Sequence, residues 1–149
     1  MMYNLINMGK QYSILFVATI LTLTLASCKK HSNNCLACGP SAIISKELFE
    51  SAPQSECVLQ QLKITGDCLT ATISASGCDG NSWVIQLIDI GEIAQPIPPV
   101  RKLRISLENK EICDAYITKE VSFYIKNVRI AGSNKLLLNV SGKSIEYDN

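Results

Sequence analysis

The sequence predicts an all-β domain arranged as an antiparallel β-sandwich, with one short helix on its N-terminal side. From Cys57 onward, apolar and polar residues alternate with period two, as in strands that bury one face. About eight such segments are short and are separated by turns rich in glycine, asparagine and aspartate. No long segment of helical period accompanies them, which favours a sandwich; a small β-barrel is the alternative.

A hydrophobic leader precedes the predicted domain. Residues 12–28 read YSILFVATILTLTLASC, with Lys10 before them and Lys29 after them. A run this short between basic residues is typical of a secretory signal and not of a membrane-spanning helix. Both Met1 and Met8 precede this run, and either can be the initiator.

The leader ends in a cysteine. Its last four residues, Leu25-Ala26-Ser27-Cys28, resemble the lipobox of bacterial lipoproteins. The resemblance implies that the Cys28 thiol is diacylated, that the chain is cut before it, and that the new amino terminus is acylated. Several acyl chains hold a protein stably to a bilayer. Since Lys29 and not an aspartate follows, the sorting rule of this family implies the outer membrane.

Three regions follow from this leader. Residues 1–27 are the predicted signal peptide, 28–40 are a polar tether that carries the lipid, and 41–149 are the β-sandwich domain. The balance of 14 Lys and Arg against 13 Asp and Glu supports neither nucleic-acid binding nor polybasic attraction to membranes. We therefore expect the membrane to be a partner through the lipid anchor, and we expect no nucleic-acid partner.

The short helix is predicted over residues 41–52. Ser41 supplies its N-terminal cap, and Pro53 ends it. Ile44 and Leu48 lie four residues apart and share one face. A helix of this length depends on packing for its stability.

A β-hairpin is predicted from residues 57–65 and 68–76 around the two-residue turn Gly66-Asp67. The turn sets a register that gathers apolar residues on one face and polar residues on the other. The predicted pairs are Thr65 with Cys68, Ile64 with Leu69, Lys63 with Thr70, Leu62 with Ala71, Gln61 with Thr72, and Val58 with Ala75.

The next segments continue the strand pattern. A turn is predicted at 78–81, and a central strand covered on both faces is predicted at 83–90. Residues 95–99 hold three prolines, which cannot donate to a strand ladder, and we expect them to cross between sheets. Residues 103–108 alternate strictly, as a half-buried strand does.

The C-terminal third supplies the remaining strands. The sequence predicts them at 112–117 and 121–126, with a change of phase at Asn127 that indicates a bulge or a strand break. A final pair is predicted at 136–141 and 144–147 around Gly142-Lys143. The whole set is immunoglobulin-like in general shape.

Seven cysteines are many for this length. If Cys28 carries lipid, an even number remains, which in an exported chain predicts disulfides. The candidates are Cys35, Cys38, Cys57, Cys68, Cys78 and Cys113. Cys68 and Cys78 cannot pair along one extended strand, because ten residues span about 33 Å. We expect a bridge between Cys57 and Cys78, with Cys68 or Cys113 in the others.

Cys35 and Cys38 form a C-x-x-C motif, which marks a thiol–disulfide redox pair in other proteins. Here the motif lies in the tether and no βαβ pattern follows, so structural disulfides are the favoured interpretation. His31 is the single histidine, and without a second C-x-x-C the motif lacks the ligands that zinc requires. The sequence therefore predicts no metal and no cofactor.

Catalytic residue types are scarce. Because the one histidine lies three residues from the lipidation site, a Ser-His-Asp or Cys-His site in the domain is not expected. Asp89 with Glu92, or Asp114 with Glu120, are the residue types of a glycoside hydrolase, although a solvated rim is the favoured reading. Trp83 begins the most apolar strand, so we expect it in the core and not as a platform for a sugar.

The domain also resembles small bacterial lipoproteins of uncharacterised function. The motifs that carry this resemblance are DCL at 67–69, SGC at 76–78, PP at 98–99 and ICDA at 112–115. The match spans residues 57–147 and implies no catalytic residue. We predict a non-enzymatic envelope lipoprotein with a structural or binding role toward a protein or a glycan. The alternative is a redox lipoprotein that uses Cys35 and Cys38.

Overall fold

The computed structural model of the chain describes residues 38–148. Within this range one α-helix, α1, spans Lys46–Ser51, and one 3-10 turn spans Lys126–Val128. The strands are β1 Ile43–Ile44, β2 Val58–Thr65, β3 Cys68–Gly77, β4 Val84–Ala94, β5 Val100–Glu108, β6 Ala115–Tyr124, β7 Lys135–Val140 and β8 Lys143–Asp148.

The strands form two sheets. One has five strands in the order β1-β4-β5-β7-β8, and the other has three in the order β2-β3-β6. The all-β, two-layer prediction is confirmed, and the described residues form no closed barrel. Two neighbouring pairs, β1 with β4 and β5 with β7, are parallel, whereas the others are antiparallel. Between β5 and β7 the chain passes through β6 in the other sheet. It then returns as β7, which lies beside β5 and runs parallel to it.

The core lies between the two sheets. From the three-stranded sheet it takes the alternate residues of β3, of which Leu69 and Ile73 are fully buried, together with Phe123 of β6. The five-stranded sheet contributes Leu103 and Leu138 among others. A smaller cluster of Ala75, Trp83 and Leu107 packs at one end. Burial of the leucine, isoleucine and phenylalanine side chains, each worth roughly 1.5–3 kcal/mol, holds the layers together.

The predicted hairpin is confirmed over most of its length. Five pairs, from Thr65 with Cys68 to Gln61 with Thr72, have the predicted register. Beyond them the register shifts between Leu59 and Gln61, so Val58 faces Ser74 and not Ala75. Gln60 is the extra residue of a β-bulge, and its side-chain amide donates to Ser74 Oγ at 2.7 Å. The bulge keeps Leu59 on the core side.

The helix is shorter than predicted and begins later. Ser45, not Ser41, caps α1, because its hydroxyl accepts a hydrogen bond from the Leu48 backbone N–H at 3.2 Å. Ser41 instead forms a bridge to Tyr124, and the two residues of β1 follow it. A β-type pairing with β4 therefore takes the positions that the sequence pattern assigned to the first helical turn.

Residues 95–99 do not cross between sheets, so that prediction is wrong. They join β4 to β5, which are antiparallel neighbours in one sheet. The predicted central strand is confirmed, since Leu87 and Ile88 of β4 are buried on its opposite faces. The half-buried strand is corrected: β5 is buried on both faces, because α1 contacts Arg104 and the segment after the helix contacts Ser106 on the same side.

The two strands predicted at 112–117 and 121–126 are one strand, β6. Its pairing with β3 is continuous over ten residue pairs, and residues 109–114 remain outside any strand. The change of phase at Asn127 is a strand break, occupied by the 3-10 turn. The final hairpin of β7 and β8 is confirmed.

The long strands run between two ends of the domain, which we call the Cys38 end and the Cys113 end. The Cys38 end carries the disulfide between Cys38 and Cys68, at the start of β3 and the finish of β6. The Cys113 end carries the disulfide between Cys78 and Cys113, beyond the other end of the same strands.

Candidate functional surface

The outer face of the three-stranded sheet is polar and slightly concave. The concavity has a volume of about 280 Å³ and is lined by side chains from all three strands. Its central members are Gln61, Lys63, Thr70, Thr72, Glu120 and Ser122. These residues alternate with core residues along each strand, so the period-two pattern that builds the core also builds this surface. We call it the polar face.

Hydrogen bonds between strands order the hydroxyls of the polar face. Thr70 Oγ1 and Ser122 Oγ lie 3.0 Å apart on neighbouring strands. Ser74 Oγ and Thr118 Oγ1 lie 2.7 Å apart in the same way. The Thr70 and Ser122 hydroxyls keep further acceptor capacity toward a ligand, whereas Ser74 is fully buried and already accepts from the Gln60 amide. With one exposed lysine and one exposed glutamate on it, the face can donate to and accept from a polar ligand without a strong net charge.

The disulfide between Cys38 and Cys68 borders the polar face. The two Cα atoms are 5.6 Å apart, and Cys38 lines the concavity. The chain reaches β6 through Gly39, where a Cβ atom would collide with the backbone carbonyl oxygen of Ser122. A glycine is therefore required for this close approach. Tyr124 then donates its backbone N–H to Pro40 O at 3.0 Å.

The cysteine pairing differs from the prediction. Cys78 pairs with Cys113, with Cα atoms 4.8 Å apart, so the expected bridge between Cys57 and Cys78 is wrong. Cys57 forms no disulfide within the described residues. It packs against the small cluster around Trp83, and this burial raises the pKa of its thiol. The turn after β3 directs Cys78 toward residues 109–114 and away from β2.

Several predicted site residues lie outside the described residues. These are the lipidation candidate Cys28, the first cysteine of the C-x-x-C motif, Cys35, and the single histidine, His31. The second cysteine of that motif, Cys38, is bonded to Cys68. A redox pair within the motif would therefore require Cys38 to leave this disulfide.

Glu111 holds the Cys113 end together, and the sequence analysis did not identify it. Its Oε2 accepts the backbone N–H groups of Cys78 at 2.6 Å and Gly80 at 3.0 Å, and its Oε1 accepts Ser82 Oγ at 2.8 Å. Burial acts to raise the pKa of this carboxyl, but these hydrogen bonds outweigh it and lower the pKa to about 2. The only sequence signal was the Asp-Gly-Asn turn, whose N–H groups needed an acceptor.

A second cluster joins the two sheets at the Cys38 end. Tyr147 Oη donates to Asp67 Oδ1 at 2.5 Å, and Arg129 also donates to this oxygen. Arg129 Nε donates to Tyr147 Oη at 2.8 Å. The hydrogen bond from Tyr147 is the main cause of a lowered pKa for Asp67. Burial, and then the same hydrogen bond, raise the pKa of Tyr147 to about 12.

The first carboxylate pair does not form a hydrolase site. Asp89 is fully buried and pairs with Arg101, whose Nη1 lies 3.1 Å from Asp89 Oδ2. Burial raises the pKa of this carboxyl against the opposing effects of Gly91 and Arg101. Glu92 is exposed and pairs with Lys46 at 2.8 Å. One carboxylate therefore belongs to the interior and the other to the surface.

The second carboxylate pair is too widely spaced for glycoside hydrolysis. Asp114 precedes β6, and Glu120 lies in the middle of this strand, on the polar face. Six strand residues separate the two by about 20 Å. The carboxyl groups of such hydrolases lie within about 10 Å of each other. Trp83, in contrast, is 8% exposed and belongs to the core, as predicted.

Between residues 38 and 148, no helix has both the length and the apolar character needed to cross a bilayer. The same residues contain no group of three or more histidine, cysteine, aspartate or glutamate side chains placed to hold a metal ion.

Comparison with known proteins gives a structural similarity but no family. No protein-family model matches the chain, and no curated protein matches it. The fold is similar to the crystal structure of a protein of unknown function, DUF1344, from Bacteroides vulgatus ATCC 8482. The TM-score is 0.49 and the sequence identity is 14%. The alignment covers 75% of this chain and 56% of that protein, so this chain spans little more than half of its length.

Proposed function

We propose that this chain is a non-enzymatic lipoprotein of the bacterial cell envelope, held by acyl chains on Cys28, and that its polar face binds a glycan. The order of hydrophobic run, small residues and cysteine supports lipidation. Two disulfides in the described domain favour an oxidising compartment outside the cytosol. Lys29 supports the outer membrane as the destination.

The observation that carries the proposal is the disulfide between Cys38 and Cys68. It ties the chain to the domain ten residues after the proposed lipid site. Ten residues span at most about 36 Å, so a lipid on Cys28 would keep Cys38 within that distance of the bilayer. A force applied to the anchor would be transmitted through this disulfide to β3, the central strand of the smaller sheet.

Lipidation is tested by labelling growing cells with radioactive palmitate and by determining the mass of the mature N-terminal peptide. We expect label in the wild-type chain and none in a Cys28→Ser variant, with a mature product that begins at Cys28. Unlabelled wild-type protein, or a different mature N-terminus, would contradict the proposal.

The binding role is supported by the chemistry of the polar face. Sugars present many hydroxyls and little charge, and hydroxyl and amide side chains hydrogen-bond to them in both directions. Rigid strands fix these groups before binding, which reduces the entropy lost on association. Tyr116, 62% exposed on β6, adds an aromatic surface at the border of this face.

The binding role is tested with the lipidated chain in detergent and immobilised polysaccharide from the envelope of the same cells. Thr72→Arg fills the centre of the polar face, and we expect it to weaken binding by about tenfold or more, the effect of losing one or two hydrogen bonds. Ser144→Arg, on the exposed part of β8, is the matched control and should bind as wild type does. Equal binding by both variants would contradict the assignment of the site.

A further inference from the structure

Two isoleucine side chains are almost completely exposed, and they lie at opposite ends of the domain. Ile97 is 100% exposed and Ile112 is 95% exposed. Single exposed apolar residues are common on protein surfaces, so exposure alone assigns no role. The position of each isoleucine relative to the tether is what distinguishes them.

Ile97 lies at the tip of the loop between β4 and β5. Pro96, Pro98 and Pro99 surround it, and their rings restrict the backbone, so the side chain is presented outward at low entropic cost. The apolar character continues below the tip, where Ile93 is 42% exposed beside a concavity of about 410 Å³ that Val100 also lines. We call residues 93–100 the isoleucine tip.

The isoleucine tip lies at the Cys38 end. Leu137 donates its backbone N–H to Pro99 O at 2.9 Å, which places the start of β5 beside the start of β7. The neighbour of Leu137, Leu136, pairs with Tyr147, whose hydroxyl contacts Asp67 in the turn before Cys68. At the opposite end, Asn109 follows β5 and donates its side-chain amide to Ser76 O near the end of β3.

Ile112 lies at the Cys113 end, directly before Cys113 in the sequence. The ten residues of β6 separate the two ends by about 33 Å. A tether of ten residues that is fixed at Cys38 allows the Cys38 end to reach the bilayer surface. The Cys113 end would then face away from this surface.

The charges near the isoleucine tip are mixed. Lys46 pairs with Glu92, Lys102 lines the same concavity as Glu92, and at the same end Arg129 pairs with Asp67. Since these charges nearly balance, attraction to anionic headgroups favours this end only weakly. The apolar tip is the remaining feature of this end, and an apolar side chain gains by entering the boundary between headgroups and acyl chains.

We propose that the isoleucine tip contacts the bilayer and inserts Ile97 into the leaflet that holds the lipid of Cys28. The inference rests on the proposed function, because the tether brings this end to the membrane only if Cys28 is lipidated. It adds a second contact that fixes the orientation of the domain, with the tip toward the membrane and Ile112 away from it. The polar face then stands beside the bilayer and remains open to ligands.

The experiment uses the lipidated full chain in phosphatidylcholine vesicles, with and without lipids brominated on the acyl chains. Ile97→Trp and Ile112→Trp each add one exposed indole, and the native Trp83 is buried at the Cys113 end. We expect brominated lipid to quench the indole added at position 97, at a depth of about 5–10 Å, and to leave the one added at 112 unquenched. Vesicles with anionic lipid should give the same result.

Flotation of the wild-type chain with vesicles separates the two possible failures. If the wild type does not float, the lipid anchor is absent, and both the proposed function and this inference are overturned. If it floats and neither indole is quenched, or both are quenched equally, the anchor stands and the inference is overturned. Equal thermal midpoints for the two variants would show that both remain folded.

Discussion

Tyr147 connects the two sheets through a single hydroxyl group. It is 1% exposed, and its oxygen donates to Asp67 and accepts from Arg129. Asp67 belongs to the turn of the smaller sheet, whereas Tyr147 belongs to the edge strand of the larger one. The guanidinium of Arg129 lies 5.3 Å from the centre of the Tyr147 ring, so a cation–π contact adds to the hydrogen bonds.

Tyr147→Phe should lower the free energy of unfolding by about 1–3 kcal/mol, because it removes the hydroxyl and leaves a partly buried Asp67 with one fewer donor. Urea denaturation at neutral pH measures this change. Tyr116→Phe is the matched control, and since Tyr116 is exposed its effect should stay within about 0.5 kcal/mol. Equal effects of the two substitutions would show that the cluster does not stabilise the fold.

Glu111 should make stability depend on pH in acid. The pKa of Glu111, about 2, lies below the ordinary value of 4.5. Its contribution to the free energy of unfolding is therefore complete above pH 4.5 and is lost as the pH falls toward 2. Glu111→Gln should flatten the fall of the urea midpoint between these pH values, whereas Glu56→Gln, at an exposed position, should not. An unchanged slope in Glu111→Gln would contradict the assignment. Asp67 also has a lowered pKa, so the urea midpoint of Glu111→Gln should still fall with decreasing pH below pH 3.8.

Among the elements, α1 depends on a side chain from the sheet it covers. Arg104 of β5 donates from Nε to Phe49 O at 2.5 Å and from Nη2 to Ala52 O at 2.9 Å. Phe49 lies in the last turn of α1 and Ala52 is its C-terminal cap, so neither carbonyl has an intrahelical donor. The helix has six residues, too few to be stable alone, so this contact fixes it on the sheet.

Arg104→Lys should therefore cost about 1.5–3 kcal/mol although the charge is retained, because an ammonium group cannot replace the planar fork of donors. Hydrogen exchange of the α1 amides, with global unfolding in urea, measures the effect. Lys102→Arg, at the exposed neighbouring position on β5, is the control and should be nearly neutral. Unchanged protection of α1 in Arg104→Lys would show that packing alone holds the helix.

The elements differ in how far the sequence could predict them. The register from Thr65 to Gln61 was predictable, because the two-residue turn and the apolar face require the same pairing. The bulge at Gln60 was not predictable, since no local pattern marks it. It arises because the extra residue turns Leu59 toward the core. The burial of Arg104 was likewise hidden, because its partners lie more than fifty residues earlier in the chain.

At the scale of the whole molecule, the two disulfides cross-link opposite ends of the described domain. One fixes the entry of the tether at Cys38, and the other fixes the strand-free residues 109–114 beside the turn after β3. The sequence predicted the polar face and the presence of disulfides, since both follow from alternation and cysteine count. It could not predict which cysteines pair, because β6 brings Cys113 back to β3 only through long-range strand pairing.

Replacement of both Cys78 and Cys113 by serine should lower the free energy of unfolding by about 3–4 kcal/mol, because the bridge closes a loop with a sequence separation of 35 residues. Replacement of both Cys38 and Cys68 opens a loop with a sequence separation of 30 residues. Its entropic effect on the free energy of unfolding should equal that of the first replacement within about 0.5 kcal/mol. Urea unfolding of the oxidised proteins compares the two.

The single substitution Cys57→Ser tests the pairing itself, because Cys57 forms no disulfide within the described residues. It should leave the bridge between Cys78 and Cys113 intact in peptide mapping without reduction, and it should remove one thiol that alkylating reagents reach after unfolding. The half-buried thiol packs beside Ala75 and Leu107, so the stability change should reflect packing and stay near 1 kcal/mol. A loss of 3 kcal/mol or more, with Cys78 becoming reactive, would instead show that Cys57 and Cys78 are joined.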